Sequence, residues 1–68
     1  MKEIKINTDI IKLDSFLKWA GAVCLGSEAK ILIQEGQVKV NGEVDVRRGR
    51  KLKKEDIIEF NNETYKII

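Results

Sequence analysis

Six cations fall within eight consecutive positions: Arg47, Arg48, Arg50, Lys51, Lys53 and Lys54. The chain has 13 Lys and Arg against 11 Asp and Glu, a net charge of +2, so nearly half of its positive charge sits in one segment. Charges this close repel each other, and folding does not require them; a negative partner does. No acid lies between Arg47 and Lys54, and Glu55 and Asp56 come only at the end. A guanidinium grips phosphate oxygens bidentately or stacks on a base. Gly49, between two arginines, leaves little bulk to hold a polyanion off the backbone. This composition suits a phosphate backbone, and so nucleic acid, without separating RNA from DNA. The bland alternative is a solvated loop that keeps the chain soluble.

A second cationic set accompanies the helical part of the chain. Lys12 precedes the first expected helix, Lys18 lies off its apolar stripe, and Lys30 falls in the first turns of the second. The free N–H groups at Ser27 and Glu28 offer an anion site at that helix start. Each lysine alone reads as an ordinary surface residue; together with the loop they would line one face. Trp19 and Tyr65, with Phe16 and Phe60, are the large aromatics. Phe16 belongs to the core stripe, and Trp19 reads as half-buried. Nothing here forms the stacking ladder of a single-strand binder, so structured or double-stranded shape is the expected target.

Other chemistry is poorly served. The chain has no His and a single Cys, Cys24, so the commonest general base, an internal disulfide and a zinc cluster are all missing. Cys24, in the run Ala22-Val23-Cys24-Leu25, reads as a small buried hydrophobe. Asp45, Glu55, Asp56 and Glu59 have no catalytic partner in view. Gly26-Ser27 and Gly49-Arg50 lack the spacing of a phosphate loop. Neither catalysis nor a cofactor nor a small-molecule substrate is expected.

A small fold has to position these groups. Sixty-eight residues suffice for one domain, residues 1–68, with a modest core. No apolar run is long enough to span a membrane, and the first residues lack the apolar core of a signal peptide, so a cytoplasmic location is expected. Residues 2–6 alternate, with Ile4 and Ile6 on one face of a short strand. Residues 7–12 are ambiguous: Thr8 or Asp9 would cap an early helix, or the helix starts near Leu13. Leu13, Phe16, Leu17 and Ala20 then recur at helical spacing, with Asp14 in the first turn and Gly21 as a stop. A second helix opens at Gly26-Ser27-Glu28, with Ser27 as N-cap, carries Ala29, Leu32 and Ile33 inward, and ends at Gly36. The short linker makes the two helices a hairpin. From Gln37 the period becomes two. Asn41-Gly42 marks a β-hairpin. A two-residue turn there puts Val44 and Val46 on the opposite face from Val38 and Val40, whereas a longer loop aligns all four valines; the residues leave both open. Residues 56–60 and 64–68 form a last hairpin around Asn61-Asn62-Glu63. The class is α+β, a two-helix hairpin packed on a small, mostly antiparallel sheet.

The runs LDSFLKWAG, GSEAKILIQEGQVKVNGEV, RRGRKL and DIIEF resemble the S-four RNA-binding domain, a module named for a small-subunit ribosomal protein. The resemblance covers about residues 10–60 and is most specific from Ser27 to Gly42. A short free-standing copy is similar to the YaaA-like proteins of bacteria. The resemblance implies an α-L motif, with RNA held across the helices and the adjoining loop. By position it places Lys12 where the family usually has Arg, just before Leu13 and Asp14. Ser27 begins the second helix and Lys30 faces the same groove. Lys39, Asn41 and Gly42 form the Val-Asn-Gly strand and turn, and Arg47, Arg48, Arg50 and Lys51 extend the face. Asp14 would orient the basic groups. Two departures stand out. Leu25-Gly26-Ser27 replaces the common Ser-Arg-Ser, and Glu55-Asp56 replaces the usual Gly-Asp.

The resulting expectation is a non-catalytic, cytoplasmic protein that binds structured RNA, rRNA or tRNA, in translation or on a ribosomal subunit. The alternatives are an adaptor that docks an acidic protein partner and a DNA-binding accessory factor.

Overall fold

In the computed structural model, which describes residues 1–68, helix forms where apolar residues recur every three or four positions, and strand where they alternate. Helix α1 spans Leu13–Trp19 and buries Leu13, Phe16 and Leu17. Helix α2 spans Gly26–Gln34 and buries Ala29 and Ile33. Both end alike: Gly21 and Gly36 take φ of 76° and 79°, and the following N–H groups reach back to the Leu17 and Leu32 carbonyls. This left-handed cap is strained for any residue with a Cβ, which is why glycine marks both stops.

Seven short strands complete the chain: β1 (Lys2–Ile4), β2 (Ile11–Lys12), β3 (Val38–Val40), β4 (Glu43–Val44), β5 (Lys51–Leu52), β6 (Ile57–Phe60) and β7 (Glu63–Ile67). Five of them form one sheet in the order β1-β7-β6-β3-β4, antiparallel except for β1 beside β7. The other two, β2 and β5, form a separate antiparallel ribbon. The hairpin turns Asn41-Gly42 and Asn61-Asn62 have positive φ at both central residues, the conformation that matches strand twist.

The helices pack together and against one face of the large sheet. Leu13, Phe16, Leu17, Ala29 and Ile33 meet Val38, Val40, Ile58, Tyr65 and Ile67 in one core. Phe16 and Tyr65 meet edge to face, with centroids 6.1 Å apart, the arrangement aromatic quadrupoles favour. Leu52 ties the small ribbon to the same core. The ambiguity over residues 7–12 resolves in favour of the later helix start. Ile11 and Lys12 are drawn into strand by β5, and α1 begins immediately after them. No helix is long and apolar enough to cross a membrane.

Candidate nucleic-acid interface

The cationic loop is fastened to the start of α1. Leu13 and Asp14 are the first two helical residues, and their N–H groups have no partner within the helix. They donate instead to the carbonyls of Arg50 and Arg48, at 2.8 and 3.1 Å. No side chain caps this helix; the loop backbone does. The next pairing in the same zipper sets Lys12 opposite Lys51 and Ile11 opposite Leu52. Leu52 is buried, so the two lysines point the other way, into solvent, as direct cross-strand neighbours. Like charges in that position cost stability.

The loop is shaped by Asp45, an acid whose sequence context offers no catalytic partner and whose role is structural. The two-residue turn at Asn41-Gly42 pairs Val40 with Glu43 and Lys39 with Val44, which settles the hairpin register and leaves Val44 and Val46 exposed. Asp45 then falls on the Val38 side and is buried, its N–H bonded to the Val38 carbonyl at 3.1 Å. Its carboxylate receives the Arg47 N–H, Arg47 Nε and Nη2 at 3.0, 3.1 and 2.9 Å, and Arg50 Nη1 at 2.7 Å. These bonds, led by the Arg47 side chain, hold the Asp45 carboxyl well below the usual carboxylate range, against the opposing effect of its burial. Asp45 in turn raises the Arg47 guanidinium. The segment is therefore less uncompensated than its sequence implies, because Arg47 and Arg50 share one buried anion. Three guanidinium N–H donors of the ten on these two arginines are used this way, and the rest stay available in a fixed orientation. Arg48, Lys51, Lys53 and Lys54 are in no ion pair.

The remaining candidate residues divide. Lys18 and Lys30 are exposed on α1 and α2, without ion-pair partners. Ser27 is not the N-cap of α2, as expected from its type; Leu25 holds that position, and Ser27 is already helical. Glu28, in the first turn, reaches back instead: its Oε1 accepts the Cys24 N–H at 3.2 Å. The N–H groups of Gly26, Ser27 and Glu28 have no acceptor in the chain. The Asp14 carboxylate is in no ion pair. Its Oδ1 receives the Ser15 N–H at 2.7 Å. Lys39 pairs with Val44 and Glu59 on the sheet face opposite the buried Val38 and Val40, so the structure does not bring it together with the helices. Asn41 is occupied internally. Its Oδ1 accepts the Ile57 N–H at 2.9 Å and its Nδ2 donates to Asp56 Oδ1 at 3.2 Å. Gly42, at φ 88°, serves the turn.

Of the two aromatics weighed for stacking, Tyr65 is buried in the core, while Trp19 is half-buried as expected, with 56 % of its surface exposed. Cys24 is exposed as well, because Val23 takes the inward position of the inter-helix linker. Glu55 stands in the left-handed region at φ 81°, where the related pattern has glycine. No group of His, Cys, Asp or Glu side chains converges as a metal site would require.

Comparison with known proteins adds four findings. A family model described as the S4 domain matches residues 4–68. A protein of Bacillus subtilis (strain 168) named probable ribosome maturation protein RlbA is 46 % identical over 57 residues, 84 % of this chain and 80 % of its own length. Among solved structures, YbcJ from E. coli is described as having an α-L motif involved in RNA binding. It superimposes with a TM-score of 0.76 at 30 % identity, over the whole of this chain and 87 % of its own. The 30S ribosomal protein S4e from Thermoplasma acidophilum shares the fold at 23 % identity and a TM-score of 0.65, over 88 % of this chain and 32 % of its own.

Proposed function

The chain belongs to the S4 domain family, and on that premise we propose that it is a non-catalytic RNA-binding protein. Its target is structured RNA, ribosomal or transfer RNA, held through the basic face, and it works in association with the ribosome. The observation that carries this reading is the pairing of Lys12 with Lys51. Two like charges are placed as cross-strand neighbours at the end of a ribbon that leads directly into α1 and the Arg47–Arg50 loop. Nothing in the chain neutralises them, and a phosphate backbone would. Arg48 and the fixed guanidinium groups of Arg47 and Arg50 lie on the same loop, so one RNA would meet a preformed cationic surface and lose little on ordering it. Lys18 and Lys30, exposed on α1 and α2, would extend the surface along the helices. Two relatives favour RNA over other polyanions: the named functions of the B. subtilis and E. coli proteins concern ribosome maturation and RNA binding.

The test is a titration of a structured rRNA or tRNA fragment and a DNA duplex of equal charge at several salt concentrations. Preference for RNA is expected. Each of Arg48→Ala and Lys51→Ala should lower the salt slope by about one unit without changing sequence preference. Equal, weak binding to both nucleic acids would sink the reading, as would retention of a protein partner after nuclease treatment with no RNA affinity.

A further inference from the structure

Trp19 is the single tryptophan of the chain and more than half exposed. It is not loose. Its indole Nε1 donates to the Lys5 carbonyl at 2.9 Å, across 14 residues of sequence. That bond spends the only polar group of the ring within the protein and uses the ring edge. What remains outside is apolar π surface with nothing to offer water. The side chain has also surrendered its rotamer freedom to the fold, so a partner that covers it need not meet that cost.

The charges beside the ring say what covers it. Lys5 supplies the carbonyl, Lys18 precedes the tryptophan, both are exposed, and neither is in an ion pair. An exposed apolar ring whose hydrogen-bond partner and whose chain neighbour both carry an exposed, unpaired cation matches a nucleobase with its phosphates; an apolar protein surface would leave the lysines unmatched. Lys12 lies at the other end of α1, seven residues away, roughly 10 Å along the helix axis. One RNA can therefore engage both. A base within a duplex is already stacked on its neighbours and hidden from the ring; an unpaired base is free to stack on it.

The geometry points to Trp19 as a stacking platform for an unpaired nucleobase at the edge of the structured RNA held by the basic face. The inference rests on the RNA-binding reading above and adds a preference to it: a stem carrying an unpaired nucleotide over a blunt stem.

The experiment uses two stem-loop RNAs with the same number of phosphates, one blunt and one with unpaired purines at its end. Trp19 emission is followed on titration, and affinities are read from the anisotropy of labelled RNA. Emission should be quenched by the overhanging RNA and little changed by the blunt one. Trp19→Leu should lose roughly tenfold in affinity for the overhanging RNA, in line with base stacking on aromatics, and nothing for the blunt stem, at an unchanged salt slope. Trp19→Phe, which keeps a ring but not the N–H, should retain most of the preference. If both RNAs bind alike without quenching, the stacking assignment falls and the RNA-binding reading stands. Loss of both RNAs alike in a folded Trp19→Leu protein assigns the ring a supporting role and also overturns the inference. If neither RNA binds the wild-type chain, the reading beneath it fails first.

Discussion

Arg50 Nη1 meets Asp45 Oδ2 at 2.7 Å, at a buried carboxylate on the residue that follows β4. This contact, with the chelate from Arg47, converts a run of repelling cations into a loop of defined shape. Asp45 therefore acts on the interface through the arginines it positions.

Asp45→Asn keeps the volume and removes the charge. Urea unfolding should show a loss of about 1–3 kcal/mol, the scale of hydrogen bonds to a charged group. RNA affinity at temperatures where the variant is folded should fall through misplacement of Arg47 and Arg50, although a negative charge has been removed. A gain in affinity would mean that Asp45 merely cancels charge.

The same residue sets an acid limb. Its folded pKa is depressed below the ordinary 3.8, so its contribution is fully present above about pH 4. It declines as the pH drops below that value and is lost through the folded pKa. Stability measured from pH 5 downward should fall less steeply in Asp45→Asn than in the wild type. Parallel curves would contradict the assignment.

Lys12 and Lys51 should show opposite effects on stability and binding. Lys12→Gln relieves a cross-strand repulsion, so the melting temperature should stay level or rise slightly while RNA affinity and salt slope fall. A drop in both stability and affinity would show that the pair supports the fold.

Asn41 is expected to behave as a support. Its side chain joins the hairpin turn to Ile57 and Asp56, so Asn41→Ala should cost about 1–3 kcal/mol and leave the RNA affinity of the folded protein within about twofold, an effect below 0.5 kcal/mol. A larger loss of affinity with little loss of stability would return Asn41 to the contact surface.

Glu55 holds a left-handed backbone at φ 81° and pairs with Lys66 at 3.2 Å from an exposed position. Glu55→Gly should remove the Cβ strain at the expense of an ion pair of small value. A net gain of about 0.5–1 kcal/mol is expected, a rise of roughly 2–8 °C in a domain of this size. Thermal melts that shift downward would mean the ion pair outweighs the strain.

What the sequence determined by itself is local. Helical spacing from Leu13 and Ala29, glycine stops at Gly21 and Gly36, and the two Asn-led turns are consequences of backbone and side-chain preferences within a few residues. They were legible for that reason, and the α+β class followed from their order. The clustering of Arg47 to Lys54 was equally plain, since charge is written directly in the residues. Tertiary structure alone decided where those charges stand. Asp45 becomes a buried anchor only because a two-residue turn fixes the register, and a slip of one residue would put it in solvent. Lys12 meets Lys51, and β1 lies parallel to β7, through pairings between distant segments that no local pattern encodes. Trp19 and Tyr65 differ in exposure because β7, paired between β1 and β6, delivers Tyr65 to the core against Phe16, while the Lys5 carbonyl holds Trp19 at the surface.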